Sequence, residues 1–254
     1  MNERERTWKL KRCGVPTSSA LERLFSGGKE NLEGDELLAA KLAKSTRKTK
    51  DVEFGEVAKS YIRELVREKK RNKPTFHRDN FNLDWGHKQE PMAIAWLRQN
   101  TMLDVMSCTE DFSEIVFNIC ACGLGDSPDF YVGEDVGEIK CPVTEAKFEA
   151  MLEMDKWQIA EEYSVLQLAG HFIGKPDAKK LYLLIYDGQN DDDEMDVLSP
   201  LAPERGILVE FTREELEDKI LKIEEKVGFV VDFMEKCLSG KCKVNDVNKY
   251  WEER

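Results

Sequence analysis

Apolar positions recur first at helical and then at strand spacing along this chain. In "TSSALERLFS", residues 17–26, Leu21, Leu24 and Phe25 form a stripe. Ser19 and Glu22 stand at capping-box spacing, which predicts a helix start. Val57, Tyr61, Leu65 and Val66 predict an amphipathic helix from 52 to about 70 with a basic outer face. "RNKPTFHRDNFNLD" reads as a loop and "WGHKQEPMAIAWLRQ" as a second helix. There Ala93, Trp96 and Leu97 face inward and Pro91 lies near the first turn or at a bend.

The period then changes. "SEIVFNICACG", "DFYVG" and "GEIKCP" read as strands, the last two joined by a tight turn. A helix follows over about 157–173, and then "KLYLLIYD", apolar on both faces and so central in a sheet. "GILVEF" is a further strand. The closing helix starts at a Thr212–Glu215 capping box and buries Leu216, Ile220, Ile223, Val227 and Met234. The order implies an α/β (α+β) fold with a mixed central sheet flanked by helices. With no repeat or clear linker, 1–254 reads as one domain: a helical region over 1–80, a core over 85–187, and a strand and long helix over 205–254.

Composition narrows this picture. No apolar run approaches the roughly 20 residues of a membrane span, and the charged start "MNERERTWKLKRCG" lacks a signal-peptide core, so a cytoplasmic location is expected. Seven cysteines, an odd number in a chain of this character, are expected to be reduced and to pack as small apolar groups. A formal charge of −12 argues against nonspecific coating of nucleic acid. Basic residues nevertheless cluster between Lys41 and Lys73; alone they read as a solvated, mixed-charge helix surface, and as the lining of a groove only if a site beside them must hold phosphate, while "DDDEMD" at 191–196 reads as a solvated turn. His77, His87 and His171 are too scattered for a histidine-ligated metal and read as surface or packing residues. Trp85 and Trp96 read as core.

The chemistry concentrates in "GDSPDFYVGEDVGEIKCP". Glu138 and Lys140, two apart in a strand, leave one face, and a short hairpin returns Asp129 beside them. Two carboxylates on adjacent strands suit a hard cation such as Mg²⁺ or Mn²⁺, and an adjacent lysine suits a developing phosphodiester charge. On these three residues alone, a cross-strand ion pair worth under about 1 kcal/mol is the better account, because the D…ExK pattern is loose and frequent.

The flanking residues carry more. Ser127-Pro128-Asp129, a turn, and Glu138-Ile139-Lys140-Cys141-Pro142 resemble the active-site hairpin of the PD-(D/E)xK nucleases, within them the phage lambda exonuclease or YqaJ-like viral recombinase branch. Phe130 stands where many members carry glycine. "WGHKQEPMA" is similar to the helix that supplies a further active-site glutamate, here Glu90. "RCGVPTSSALERL" resembles the segment that receives a DNA 5′-phosphate, placing Arg12, Thr17 and Ser19 there; "YSVLQLAGHFIG" resembles the helix whose glutamine, here Gln167, reaches the scissile region or the terminal phosphate.

The resemblance, which spans about 8–187, implies a restriction-endonuclease-like core and an exonuclease that degrades the 5′-ended strand of duplex DNA to leave 3′ overhangs for strand annealing. It implies Asp129, Glu138 and the Ile139 backbone carbonyl as ligands of Mg²⁺ (Mn²⁺ as the alternative), with two ions per site and Glu90 supporting the second ion or the water. Lys140 would position and activate water. The implied partners are double-stranded DNA ends, further copies in a trimeric ring and a single-strand annealing protein, with no membrane. Two other readings stay open: an endonuclease of the same fold acting in repair or restriction, and a non-catalytic module that binds DNA ends.

Overall fold

The computed structural model describes residues 3–31, 38–40, 42–43, 49–75, 81–113, 115–189 and 200–254. The N-terminal region holds α1 (Glu3–Lys11), a 3-10 turn (Ser18–Ala20), α2 (Leu21–Leu24), the pair β1 (Gly28–Asn31) and β2 (Thr49–Val52), and α3 (Glu56–Arg71). Then come α4 (Phe81–Asn100), β3 (Val105–Ser107), the short pair β4 (Asn118–Ile119) and β5 (Gly125–Asp126), β6 (Phe130–Val132) and β7 (Asp135–Lys140). Helices α5 (Glu145–Met151), α6 (Lys156–Tyr163) and α7 (Val165–Gly174) lead to β8 (Lys180–Tyr186), β9 (Gly206–Thr212), α8 (Arg213–Leu238) and α9 (Val247–Glu252).

The main sheet runs β3-β6-β7-β8-β9. It is mixed, because β7 and β8 pair in parallel through a helical crossover while the other neighbours are antiparallel. In β8 the period of two sorts the side chains. Leu181, Leu183 and Ile185 join the core shared with α7 and α8, whereas Tyr182, Leu184 and Tyr186 join the core beneath α4. Being apolar on both faces, this strand is central, as its sequence predicts. The Thr212–Glu215 capping box forms, and all five stripe residues of α8 are buried. No helix among the described residues is long and apolar enough to cross a membrane.

The hairpin that carries the candidate chemistry is packed tightly from below. Phe130 lies opposite Gly137, and a Cβ at Gly137 would come within 2.1 Å of the Phe130 ring. Phe130, fully buried, therefore fills the space a side chain would need. Gly137→Ala is expected to destabilise the fold by about 1–3 kcal/mol through overpacking. Urea unfolding measures this; an unchanged midpoint would mean that the ring moves aside freely.

Several expectations are corrected. The Ser19–Glu22 capping box does not form: Ser18–Ala20 is a 3-10 turn without a side-chain cap. Ser19 turns instead toward Arg12, and Glu22 accepts from Ser164 Oγ at 2.9 Å. In α3, Val57 is exposed while Ala58 and Ile62 take the inner face, and Lys59 is buried against Glu30. The second helix starts at Phe81, so Pro91 sits in its interior, where its missing N–H leaves the His87 carbonyl without its helical donor. Among its described residues, "SEIVFNICACG" contributes only β4. The helix expected over 157–173 is two helices, broken at Ser164. Trp96 is core, but Trp85 is only half-buried. Of the seven cysteines only Cys108 is buried; all are free thiols. His77, the 191–196 loop and Lys41, Lys44, Arg47 and Lys48 lie outside the described residues.

Candidate active site

The hairpin sets the first part of the site. Asp129 directly precedes β6, and its backbone N–H bonds the Gly137 carbonyl at 3.0 Å, which fixes it beside β7. Its Oδ2 accepts from the Ile139 N–H at 2.7 Å. Glu138 and Lys140 share the face of β7 turned toward α7, and Lys140 Nζ donates to Glu138 Oε1 at 2.5 Å. From α4, half-buried Glu90 joins the same cleft and accepts from Thr109 Oγ1 at 2.7 Å. The cleft is about 320 Å³ and is also lined by Asn82, His87, Lys147 and Tyr163. Trp85 closes the chain around its edge by donating to the Pro142 carbonyl at 3.1 Å.

The break before α7 sets the second part. Ser164 has φ 112°, an uncommon conformation for a residue with a side chain. Its Oγ accepts from the Gln167 N–H at 3.1 Å and so caps the new helix. One turn in, Gln167 is aimed at β7: Nε2 donates to Glu138 Oε1 at 2.7 Å, and Oε1 accepts from Lys140 at 3.1 Å. A continuous helix through 164 could not re-aim this residue.

Behind Glu138 lies a group that sequence reasoning assigned to surface or packing. His171 is fully buried, with Nδ1 2.9 Å from Asp126 Oδ1 and Nε2 2.9 Å from Glu138 Oε2. These are ion-pair contacts without well-aligned hydrogen bonds. Its position at i+4 from Gln167 is the one local signal that could have placed it on the active face.

Charge in the cleft is unevenly balanced. Burial pushes the Asp129 carboxyl well above the ordinary carboxylate range, and the negative charges of Glu138 and Glu90 push it further. Glu90 is raised mainly by burial, against the opposing Thr109 hydrogen bond. Burial would also raise Glu138, but Lys140 and His171 outweigh it and hold that carboxyl down at about 2. For Lys140, Glu138 and Asp129 outweigh burial and raise its pKa, so it stays an ammonium at neutral pH. His171 is likewise carried to about 10 by its two carboxylates, against burial.

The donor set suits a hard cation. Three carboxylates line the cleft, and burial together with the charges of Glu138 and Glu90 disfavours the ionised form of Asp129. Among the described residues no three Asp, Glu, His or Cys side chains converge as a ready-made cage. Mg²⁺ needs none, because it keeps several waters and takes one or two carboxylates.

Arg12, Thr17 and Ser19 also come together. The Arg12 guanidinium donates to Thr17 Oγ1 at 2.9 Å and to Ser19 Oγ at 3.0 Å, and it stacks on Trp8 at 4.0 Å. Only a 3-10 turn and one helical turn follow this cluster. This cluster adjoins α7: Ser18 packs on Gly170, and Thr17 bridges to Gly125, next to Asp126.

No family model matches the chain, and no curated protein matches it. Solved structures of exonucleases share this fold. The alkaline exonuclease LHK-Exo of Laribacter hongkongensis superposes with a TM-score of 0.63 at 17% identity, covering 92% of this chain and 94% of the other. Its complex with dAMP gives 0.62 at 18%, with the same coverage. A phage-related exonuclease from Haemophilus somnus 129PT gives 0.52 at 17%, covering 90% and 96%. At such identity the likeness carries the fold; activity must be argued from the site.

Proposed function

We propose that this protein is a metal-dependent DNA exonuclease that degrades the 5′-ended strand of duplex DNA and leaves 3′ overhangs for recombination. The observation that carries the reading is the convergence of Asp129, Glu138, Glu90 and Lys140 on one cleft, in a fold shared with exonucleases. Asp129, Glu138 and the Ile139 carbonyl would hold Mg²⁺, or Mn²⁺ in its place, with Glu90 beside a second ion. The metal supplies Lewis-acid polarisation of the phosphodiester and a more acidic water.

The chain's own residues do the rest. Lys140, held as an ammonium, cannot serve as a base; it orients the attacking oxygen and stabilises negative charge on the phosphoryl group. Gln167 fixes Lys140 and Glu138 relative to each other. On α3, Lys59, Arg63 and Lys69 are taken up by acids of the chain itself, which leaves Arg67, Lys70 and Arg71, with Lys73 just beyond the helix, as an exposed basic face for the DNA backbone. A ring of copies would gather such faces around a duplex despite the acidic total. Its 3′-ended product would suit a strand-annealing partner.

The Arg12–Thr17–Ser19 cluster favours an end-directed enzyme over an endonuclease, because two hydroxyls and a guanidinium form a receptor for a terminal phosphate. The deciding assay compares linear duplexes with and without a 5′-phosphate against closed circular DNA. Preference for the phosphorylated ends is expected, and cutting of the circle would favour the endonuclease. Arg12→Ala is expected to erase most of that preference. A charged hydrogen bond of about 1.5–3 kcal/mol is lost, and hydrolysis of unphosphorylated ends serves as the internal control.

A further inference from the structure

Behind the cleft, three ionisable side chains form an unbroken buried line. Asp126, His171 and Glu138 are 1%, 0% and 4% exposed, and His171 stands 2.9 Å from a carboxylate oxygen on either side. An apolar residue at 171 would fill the space without the expense of burying charge, so packing alone does not account for the arrangement. The surroundings admit it closely: a Cβ at Gly174 would lie 2.4 Å from the Asp126 Cβ, so glycine there lets Asp126 approach α7. Asp126 is itself anchored, since the Gly125 N–H bonds the Pro16 carbonyl at 2.7 Å.

The two oxygens of Glu138 are thereby given different neighbours. Oε2 faces the wholly buried His171, whereas Oε1 is shared with Gln167 and the cleft-lining Lys140. We propose that His171 and Asp126 are positioning residues for the cation site. His171 fixes the rotation of the Glu138 carboxylate so that Oε1 alone is offered to the cleft, as a single-oxygen donor, and Asp126 fixes His171. Partners behind a ligand of this kind set its orientation and basicity. The inference rests on the reading of the cleft as a divalent-cation site, and it adds two residues outside the cleft to that site.

The test is calorimetric titration of the full chain with Mn²⁺ in the absence of DNA, alongside circular dichroism. His171→Gln is expected to weaken Mn²⁺ binding by about 10- to 100-fold while the fold is retained. Asp126→Asn, which removes a charge at constant volume, is expected to weaken it in the same direction and serves in its place if the first variant does not fold. Because the two act in series, the double variant should bind little worse than the weaker single variant. Mn²⁺ affinity equal to wild type in a folded Asp126→Asn, with only the melting temperature lowered, would reduce the pair to a structural one and overturn the proposal. A wild-type chain that binds no Mn²⁺, or binds it no better than Asp129→Asn does, would instead overturn the cation-site reading itself.

Discussion

Lys140→Ala is expected to lower the rate of DNA degradation by about 10²- to 10³-fold while leaving affinity for duplex ends unchanged. The ammonium faces Glu138 Oε1 at 2.5 Å and Gln167 Oε1 at 3.1 Å, and it lines the cleft rather than the basic face of α3. Its removal takes away a positive charge from the place where a phosphoryl group would gain negative charge. Glu138 keeps Gln167 and His171, so the carboxylate should stay in place and the loss should fall on turnover. Lys140→Arg is not expected to restore the rate, because a planar fork does not occupy the position of a compact point charge. Single-turnover degradation of a labelled duplex, paired with end binding in Ca²⁺, separates the two quantities. Unchanged turnover in Lys140→Ala would remove the lysine from the mechanism.

What could be read in advance was local. Glu138 and Lys140 share a face because strands have a period of two, and the Thr212–Glu215 box formed because capping depends on four consecutive residues. Arg12, Thr17 and Ser19 likewise met across a short turn. The same local rule failed at Ser19 itself, which lies within a 3-10 turn and accepts from Arg12 instead of capping a helix. It failed also at 164, where the apolar period runs on through a serine that reverses φ. Ser164 holds the break by a tertiary contact with Glu22 and a local cap on the Gln167 N–H, and the apolar period shows neither.

Long-range pairing was out of reach for the same reason. His171 looks like one more residue of an apolar helix until β5 brings Asp126 against it. The C-terminal segment showed a strand and a helix in sequence. Among the contacts that attach it to the N-terminal region, Asn248 bonds both backbone groups of Phe54 at 2.9 and 3.0 Å, which no periodicity encodes.

Asp129→Asn is expected to abolish degradation and yet to stabilise the metal-free chain, by about 0.5–2 kcal/mol, the usual yield when a residue kept for function is replaced. The aspartate is crowded by burial and by Glu138 and Glu90, so its ionised form is disfavoured in the folded state. Asparagine keeps an oxygen to accept the Ile139 N–H but carries no charge. The sign with pH follows from the raised folded value. Below about 4, the unfolded aspartate is protonated as well, and the two proteins should be equally stable. As pH rises through that value the unfolded chain gains a proton-release term the folded chain lacks, so wild type falls behind the variant. Added Mg²⁺ should reverse the order, because a cation that binds only the folded wild type stabilises it by mass action. Melting curves in EDTA and in Mg²⁺, at acid and neutral pH, read all three expectations. A variant that melts below wild type in EDTA at neutral pH would mean that Asp129 is a stabilising structural partner, and the crowded carboxylates would no longer argue for a cation.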